Sequence, residues 1–429
     1  DVGLRNWAIP GLFAGMLKLS AALGVTDVQA RRVAVAIPQF MLHGAMLWAT
    51  WQLAARRIEA KAAGWAVAVV GTYPLVLFFA GRTMSESLSA ALLVCAFERL
   101  DAATTAPSMR PAFVGGLLLG LAQIARPGTA AFIIPALLLL AVMRRFSVLA
   151  WCIAGGALAA LGLGVLDRVT WGASLPTPRF GGWWHSLFEY VDYNLVSGKA
   201  SQQFGAEPAW FYLVRLFVPA APALLLWRKL PALRAWLPLG SSLAYVAAVS
   251  LTPHKEDRFL YPALVVLTVT AAPAAGVWID EVFKRKRAAL HAVVLTAGVV
   301  ATLVLLVQPT GFTPQRPELF RLTVRASREG TGLIIMNEGL WGAGGDFYAG
   351  GSNAVFGAKD RTPHPEHLWC TCDYPGEGCF QLAAQTPAIN RAIFMDPHDE
   401  RRTSATLAEF QRIGFHEVAR DGDGHYLAR

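Results

Sequence analysis

Charge is scarce in this chain. Asp, Glu, Lys and Arg supply 16% of its 429 residues, whereas ordinary soluble domains carry roughly a quarter. With 55% hydrophobic residues and a mean hydropathy of +0.42, the chain is too apolar for an ordinary soluble protein. Cysteine is also sparse, at five. Two of these, Cys95 and Cys152, fall inside apolar runs, where a thiol packs as a small hydrophobe. There is no Gly-rich phosphate loop, no signal peptide and no internal repeat of the kind transporters show. The formal charge is +9, but Lys and Arg mostly lie between apolar blocks. Membrane topology accounts for them there, and nucleic acid is not expected as a partner.

What the chain has is apolar blocks of membrane-spanning length. The stretch Trp7 to Leu23 is apolar but carries Pro10 and Lys18, and reads as an interfacial helix. About ten spans are expected after it. They are Val33–Ala54, Gly64–Phe79, Met84–Phe97, Pro111–Ile124, Ala130–Val142, Val148–Leu166, Phe211–Trp227, Trp236–Leu251, Phe259–Val277 and Ala288–Val307. Basic clusters follow alternate spans: Arg56, Arg57 and Lys61; Arg144 and Arg145; Arg228, Lys229 and Arg234; Lys284 to Arg287. Parity puts all of them on one face, and the positive-inside rule makes that face cytoplasmic.

Parity also puts four basic residues, Arg82, Arg126, Lys255 and Arg258, on the opposite face, each at the end of a span. Charges kept against the topological trend are functional candidates. Two of them fall in one run, His254-Lys255-Glu256-Asp257-Arg258-Phe259-Leu260-Tyr261-Pro262, between two spans. A helix start is expected near Glu256, with Glu256 and Asp257 facing the positive end of the helix dipole. Pro262 would then sit where N–H groups are unpaired in any case. His254, Lys255 and Arg258 remain as donors suited to a phosphate on a lipid. The outward loop Asp167–Ala209 is rich in Trp, Phe and Tyr, which suit a membrane interface and also stack on sugar faces.

From residue 309 the composition changes. Strands are expected at Gly332–Met336, Arg391–Met395, Phe415–Ala419 and His425–Leu427, with an amphipathic helix at Ser404–Ile413. The expected organisation is a mostly α, polytopic membrane domain over 1–308 and a small extracytoplasmic α/β domain over 309–429. Cys370, Cys372 and Cys379 cluster near His364 and His367. A disulfide from Cys379 to Cys370 or Cys372, a zinc site and free thiols all stay open.

The run from His254 to Pro262 resembles the HKEeRFlyP signature of glycosyltransferase family 22, with Asp257 where the family usually has Glu. Those are dolichol- or polyprenyl-phosphate-mannose-dependent mannosyltransferases, with bacterial relatives. Further landmarks match in order. Leu4-Arg5-Asn6-Trp7 is similar to "LRSw". Arg82-Thr83-Met84-Ser85-Glu86-Ser87-Leu88 is similar to "RTlSNsLE", with Glu86 where Asn is common. Ile124 to Pro127 is similar to "lIRP", and Asp167 to Gly172 to "DslfYG" with Trp171 for Tyr. Asn194 and the run Gly205 to Tyr212 are similar to "fN…yGthPwhwYf".

The resemblance implies the C-superfamily glycosyltransferase fold and transfer of mannose from a polyprenyl-phosphate donor to a glycan or glycolipid acceptor, with inversion. It implies donor-phosphate contacts at His254, Lys255, Arg258, Arg126 and Arg82, with Glu256 and Asp257 orienting them. Asp167, Trp171, Asn194, Trp210 and Tyr212 are candidates for the acceptor cleft. By the same resemblance, the first span and an acidic loop holding the catalytic carboxylate lie upstream of Asp1. No metal or cofactor is assigned. The expected location is a bacterial inner membrane with the site on the periplasmic side, or the endoplasmic reticulum membrane in a eukaryote. A transporter or flippase, and a nonenzymatic assembly subunit, are the other readings.

Overall fold

The computed structural model describes residues 6–25, 27–106, 108–213 and 236–284, then 318, 321–322, 325–326, 329, 333–336, 356–357, 369–372, 377–385, 387, 389–395 and 400–429. The chain divides into two compact units, Asp1–Thr313 and Pro314–Arg429.

The first unit is helical. α1 (Ala8–Ala22) carries largely exposed apolar side chains, and α2 (Val28–Ala55) starts on Asp27, whose carboxylate accepts from the Ala30 N–H at 2.8 Å. α3 (Ala60–Gly71) and α4 (Pro74–Ala80) meet at a 63° bend. Pro74 has no N–H to extend α3, but costs little as the first residue of α4. The single span expected over Gly64–Phe79 is therefore a broken pair. α5 (Ser85–Thr105), α6 (Met109–Ala125), α7 (Ala130–Val142) and α8 (Phe146–Ser174) follow. Next come the short α9 (His185–Val191) and α10 (Lys199–Phe204), then α11 (Trp236–Leu251) and α12 (Tyr261–Lys284).

Each expected span that lies wholly within the described residues coincides with a helix or a helix pair. Among the described residues three helices are long and apolar enough to cross a bilayer: Ala30–Ala55, Phe146–Ser174 and Asp257–Glu281. The α3–α4 pair makes a fourth if taken as one span, while α6, α7 and α11 are shorter apolar helices. Of the expected spans, Phe211–Trp227 beyond Leu213 and all of Ala288–Val307 lie outside the described residues. The chain is an integral membrane protein.

α5 falls outside the apolar set because it carries Glu86, Glu98, Arg99 and Asp101. It tolerates them because it is interior. Leu88, Leu93, Val94, Phe97 and Leu100 are all buried, so its surroundings are protein. α12 is interior in the same way, with Tyr261, Leu264, Val265 and Val269 buried. Two acid–arginine networks occupy the two ends of α5. At its C-terminal end Arg56 meets Glu98 at 2.8 Å and Asp101 at 3.1 Å, and Arg57 meets Asp101 at 2.5 Å. Glu86 lies about 18–22 Å away along the helix axis, roughly two thirds of the ~30 Å hydrocarbon core of a bilayer.

Small residues set the tightest crossing, between α6 and α8. A Cβ on Gly116 would come within 1.9 Å of the Cys152 carbonyl oxygen, and one on Gly155 within 2.0 Å of the Phe113 oxygen. Glycine lets the two backbones meet directly. Gly116→Val is expected to push α8 off α6 and to destabilise the protein by about 1–3 kcal/mol. Thermal unfolding in detergent measures it, and an unchanged midpoint would refute the contact.

In the second unit a six-stranded sheet runs in the order β2-β3-β1-β4-β6-β5. The strands are β1 (Leu333–Met336), β2 (Phe356–Gly357), β3 (Trp369–Cys372), β4 (Arg391–Met395), β5 (His416–Asp421) and β6 (Gly424–Ala428). β4 pairs parallel with β1 and antiparallel with β6. Helices α13 (Glu377–Gln385) and α14 (Glu400–Arg412) complete the unit, and Phe410 of α14 packs with Phe394 of β4. Sequence periodicity had pointed to β1, β4, β5 and β6, and β2 and β3 are additions. Cys370 and Cys372 lie on β3 and Cys379 on α13, but their side chains, with His364 and His367, lie outside the described residues. Among the described residues no group of three His, Cys, Asp or Glu side chains is placed to hold a metal ion.

Candidate functional site

The turn between α11 and α12 is built by its own side chains. The Thr252 hydroxyl donates to the Val249 carbonyl at 2.7 Å and closes α11. Glu256 is extended (φ −135°, ψ 147°), and a 3-10 turn over Asp257–Leu260 leads into α12. The helix onset expected at Glu256 is therefore present, with Pro262 in its first turn. Two buried tyrosines fasten the turn. The Tyr212 hydroxyl donates to the Glu256 carbonyl at 3.0 Å and accepts from the Glu256 N–H at 3.1 Å. The Tyr245 hydroxyl donates to the Phe259 carbonyl at 2.7 Å.

Lys255 departs from the expected set. Its Nζ donates to the carbonyls of Thr252 at 2.6 Å and Glu207 at 2.7 Å, and Pro253 O is 3.5 Å away. The residue is 7% exposed. Loss of water lowers the ammonium pKa from its ordinary value, with Glu207 opposing. The side chain ties the turn to the segment before Tyr212.

The remaining charges converge. Arg258 Nε is 2.5 Å from Glu256 Oε2, and its Nη2 donates to Glu256 Oε1 at 2.9 Å. His254 Nε2 is 3.1 Å from the same Oε1. Arg258 Nε is also 3.5 Å from Glu86 Oε1 in the first turn of α5. Arg126 reaches the same oxygen, with Nη1 at 2.5 Å. Arg126 is placed by Pro127, which forces the preceding residue into extended backbone (φ −147°, ψ 106°) and ends α6 there. Its guanidinium lies over the Phe259 ring at 4.7 Å and hydrogen-bonds the Tyr245 hydroxyl. Burial opposes its charge, but Glu86, Tyr245 and Tyr190 outweigh it, and the guanidinium pKa is raised.

One connected network thus joins Glu86, Arg126, Arg258, Glu256 and His254. Arg82 stands apart, with its guanidinium 3.8 Å from the centre of the Phe78 ring. Arg258 pairs with the carboxylates of Glu256 and Glu86.

The acceptor candidates divide. The loop expected from Asp167 begins only after Ser174, because α8 continues past its charged residues. Asp167 is buried within α8 and accepts from both the N–H and the hydroxyl of Ser186, at 2.9 and 2.7 Å. Trp171, one turn on, is 6.0 Å from Trp7 and 6.4 Å from His185 by ring centres. Asn194 Nδ2 donates to the Tyr190 carbonyl at 2.9 Å, which places it beside a neighbour of Arg126. Trp210 is 61% exposed, and Tyr212 is committed to the Glu256 backbone.

Sequence reasoning missed the central place of Glu86 and the part played by Tyr245 and Tyr190. The available signal was polarity out of place, an acid at the head of a span and a lone hydroxyl inside an apolar block.

The profile of the Alg9-like mannosyltransferase family matches residues 1–327. GPI mannosyltransferase 3 of Yarrowia lipolytica is 27% identical over 280 residues, which are 63% of this chain and 52% of that protein. Alpha-1,2-mannosyltransferase ALG9 of Arabidopsis thaliana is 33% identical over 128 residues, 27% of this chain and 22% of that one. This chain thus spans about half the length of the first of these relatives and less of the second. Among solved structures, ArnT from Cupriavidus metallidurans bound to undecaprenyl phosphate superposes with a TM-score of 0.57 at 13% identity. The match covers 99% of this chain and 88% of that one, and shows a shared fold.

Proposed function

This chain belongs to the Alg9-like mannosyltransferase family, and on that footing we propose that it moves a mannosyl group from a polyprenyl-phosphate donor to a glycan or glycolipid acceptor. The C1–O bond to phosphate breaks, and its electron pair stays on the phosphate oxygen. The acceptor oxygen bonds to C1 from the opposite face and inverts it, while the hydroxyl proton passes to a base. The acids nearest the cations, Glu86 and Glu256, are both bound to guanidinium groups, and neither is assigned that role.

The observation that carries the reading is the pair Arg126 and Arg258, brought from two separate elements onto one buried carboxylate. A departing phosphate gains charge, and guanidinium groups already in place stabilise it without rearranging. The lipid tail would lie along the helices below. Arg258, partly exposed, makes the direct contact, with His254 beside it. Asn194 and the aromatic segment around Tyr190 supply the acceptor side.

We infer the sidedness from the positive-inside rule, which supports reading the Arg56–Arg57 end of α5 as cytoplasmic and the Glu86 end as facing away from it. That is the periplasmic side in a bacterium and the lumenal side in the endoplasmic reticulum.

Purified protein supplied with polyprenyl-phosphate [³H]mannose is expected to label a mannosyl acceptor. Counterflow of the lipid in proteoliposomes without any transfer would instead identify a transporter and overturn the proposal.

A further inference from the structure

Glu86 is 4% exposed and stands in the first turn of α5, where the helix dipole favours a negative charge. Its Oε1 holds Arg126 at 2.5 Å and Arg258 at 3.5 Å. Its Oε2 accepts from the Ser85 hydroxyl at 3.0 Å. The two arginines come from unrelated places, the end of α6 and the turn ahead of α12. Without an acid between them they would repel, and Arg258, with a side chain 37% exposed, would be held by Glu256 alone. With Glu86 present the trio keeps one net positive charge. Arg126, at 8% exposure, would be left without its carboxylate partner as a buried charge if Glu86 were removed. Not every donor is used up, because Arg126 Nε makes no hydrogen bond among the described residues although it is buried.

We infer that Glu86 is a positioning residue. It fixes the spacing and direction of Arg126 and Arg258, so that the N–H groups left over from the carboxylate meet a single phosphate. The inference rests on the reading of this end of the bundle as the donor-phosphate site. It goes beyond that reading by giving the arrangement of the cations to one buried acid from a third element. The chemical demand is specific. The phosphate passes from one negative charge in the sugar diester to two as it departs, and cations that must first swing into place would respond late.

The test compares Glu86→Gln, which keeps the shape and removes the charge, with Glu86→Asp, which keeps the charge on a shorter arm. Initial rates in the intact purified protein are measured against polyprenyl-phosphate mannose and against the acceptor separately, beside the unfolding midpoint. Glu86→Gln is expected to lower donor kcat/KM by about 10- to 100-fold while acceptor KM moves less than about twofold. Glu86→Asp is expected to recover part of the loss. If Glu86→Gln does not accumulate folded, Glu86→Asp is read alone, and a donor KM raised at least about threefold is expected. An unchanged donor parameter in the folded variants, or donor and acceptor parameters falling together, would overturn the positioning role. Wild-type protein that transfers no mannose and binds no polyprenyl phosphate would overturn the parent reading, a result distinct from either.

Discussion

The Arg258→Ala protein is expected to reach the membrane at normal abundance and to lose mannosyl transfer, with turnover down by roughly 100- to 1,000-fold. The two halves of this result come from one observation. Arg258 is partly exposed, and its main partner, Glu256, is 33% exposed, so their pairing adds little to stability. Glu86 keeps Arg126 when Arg258 is removed, so the buried acid stays paired. What is lost is the cation nearest the open side of the network. Arg258→Lys should recover only a small part, because an ammonium cannot hold Glu256 and a phosphate through one planar fork. Transfer rates normalised to folded protein check the result. Wild-type turnover in Arg258→Ala would take the residue out of the phosphate's path.

Lys255→Met is expected to show the reverse. Removing its ammonium leaves the carbonyls of Thr252 and Glu207 without their donor, at a lysine that is 7% exposed beside an exposed Glu207. An unpaired buried acceptor costs about 1–3 kcal/mol and water can reach the Glu207 side, so a loss of about 1–3 kcal/mol is expected. The folded fraction should fall while the donor KM of the surviving protein stays near wild type. Thermal unfolding with a donor titration separates the outcomes. A stable variant with a much higher donor KM would return Lys255 to the phosphate.

The contrast between those residues shows how far the sequence could be read. The run from His254 to Pro262 predicts a helix start, and the onset at Glu256 is visible in the structure. Rank among its cations was not legible. Lys255 and Arg258 are three residues apart with the same charge, and only the backbone decides which points inward. Thr252 and Glu207 present their carbonyls to Lys255, and the next bend carries Arg258 to Glu256 and Glu86. Glu86 was hidden for another reason. Its partners, Arg126 and Arg258, lie far along the chain, and no local pattern encodes such a meeting.

Boundaries failed where a local signal met a tertiary one. Asp167 and Arg168 look like the end of a span, but Ser186 supplies the buried Asp167 with two donors and the helix runs on to Ser174. Pro74 was counted inside a span, yet it begins a new helix. In the C-terminal unit β2 and β3 are too short for alternation to reveal them, at two and four residues.

The account stands on a lipid phosphate being gripped at the Glu86 end of α5. A cryo-EM map of the intact protein with polyprenyl-phosphate mannose tests this most directly. The phosphate density should lie within hydrogen-bond distance of the Arg258 guanidinium, on the side of Phe259 that also carries Arg126. Density instead at the Arg56–Arg57 end, or none near either arginine in a map that resolves the lipid, would contradict it.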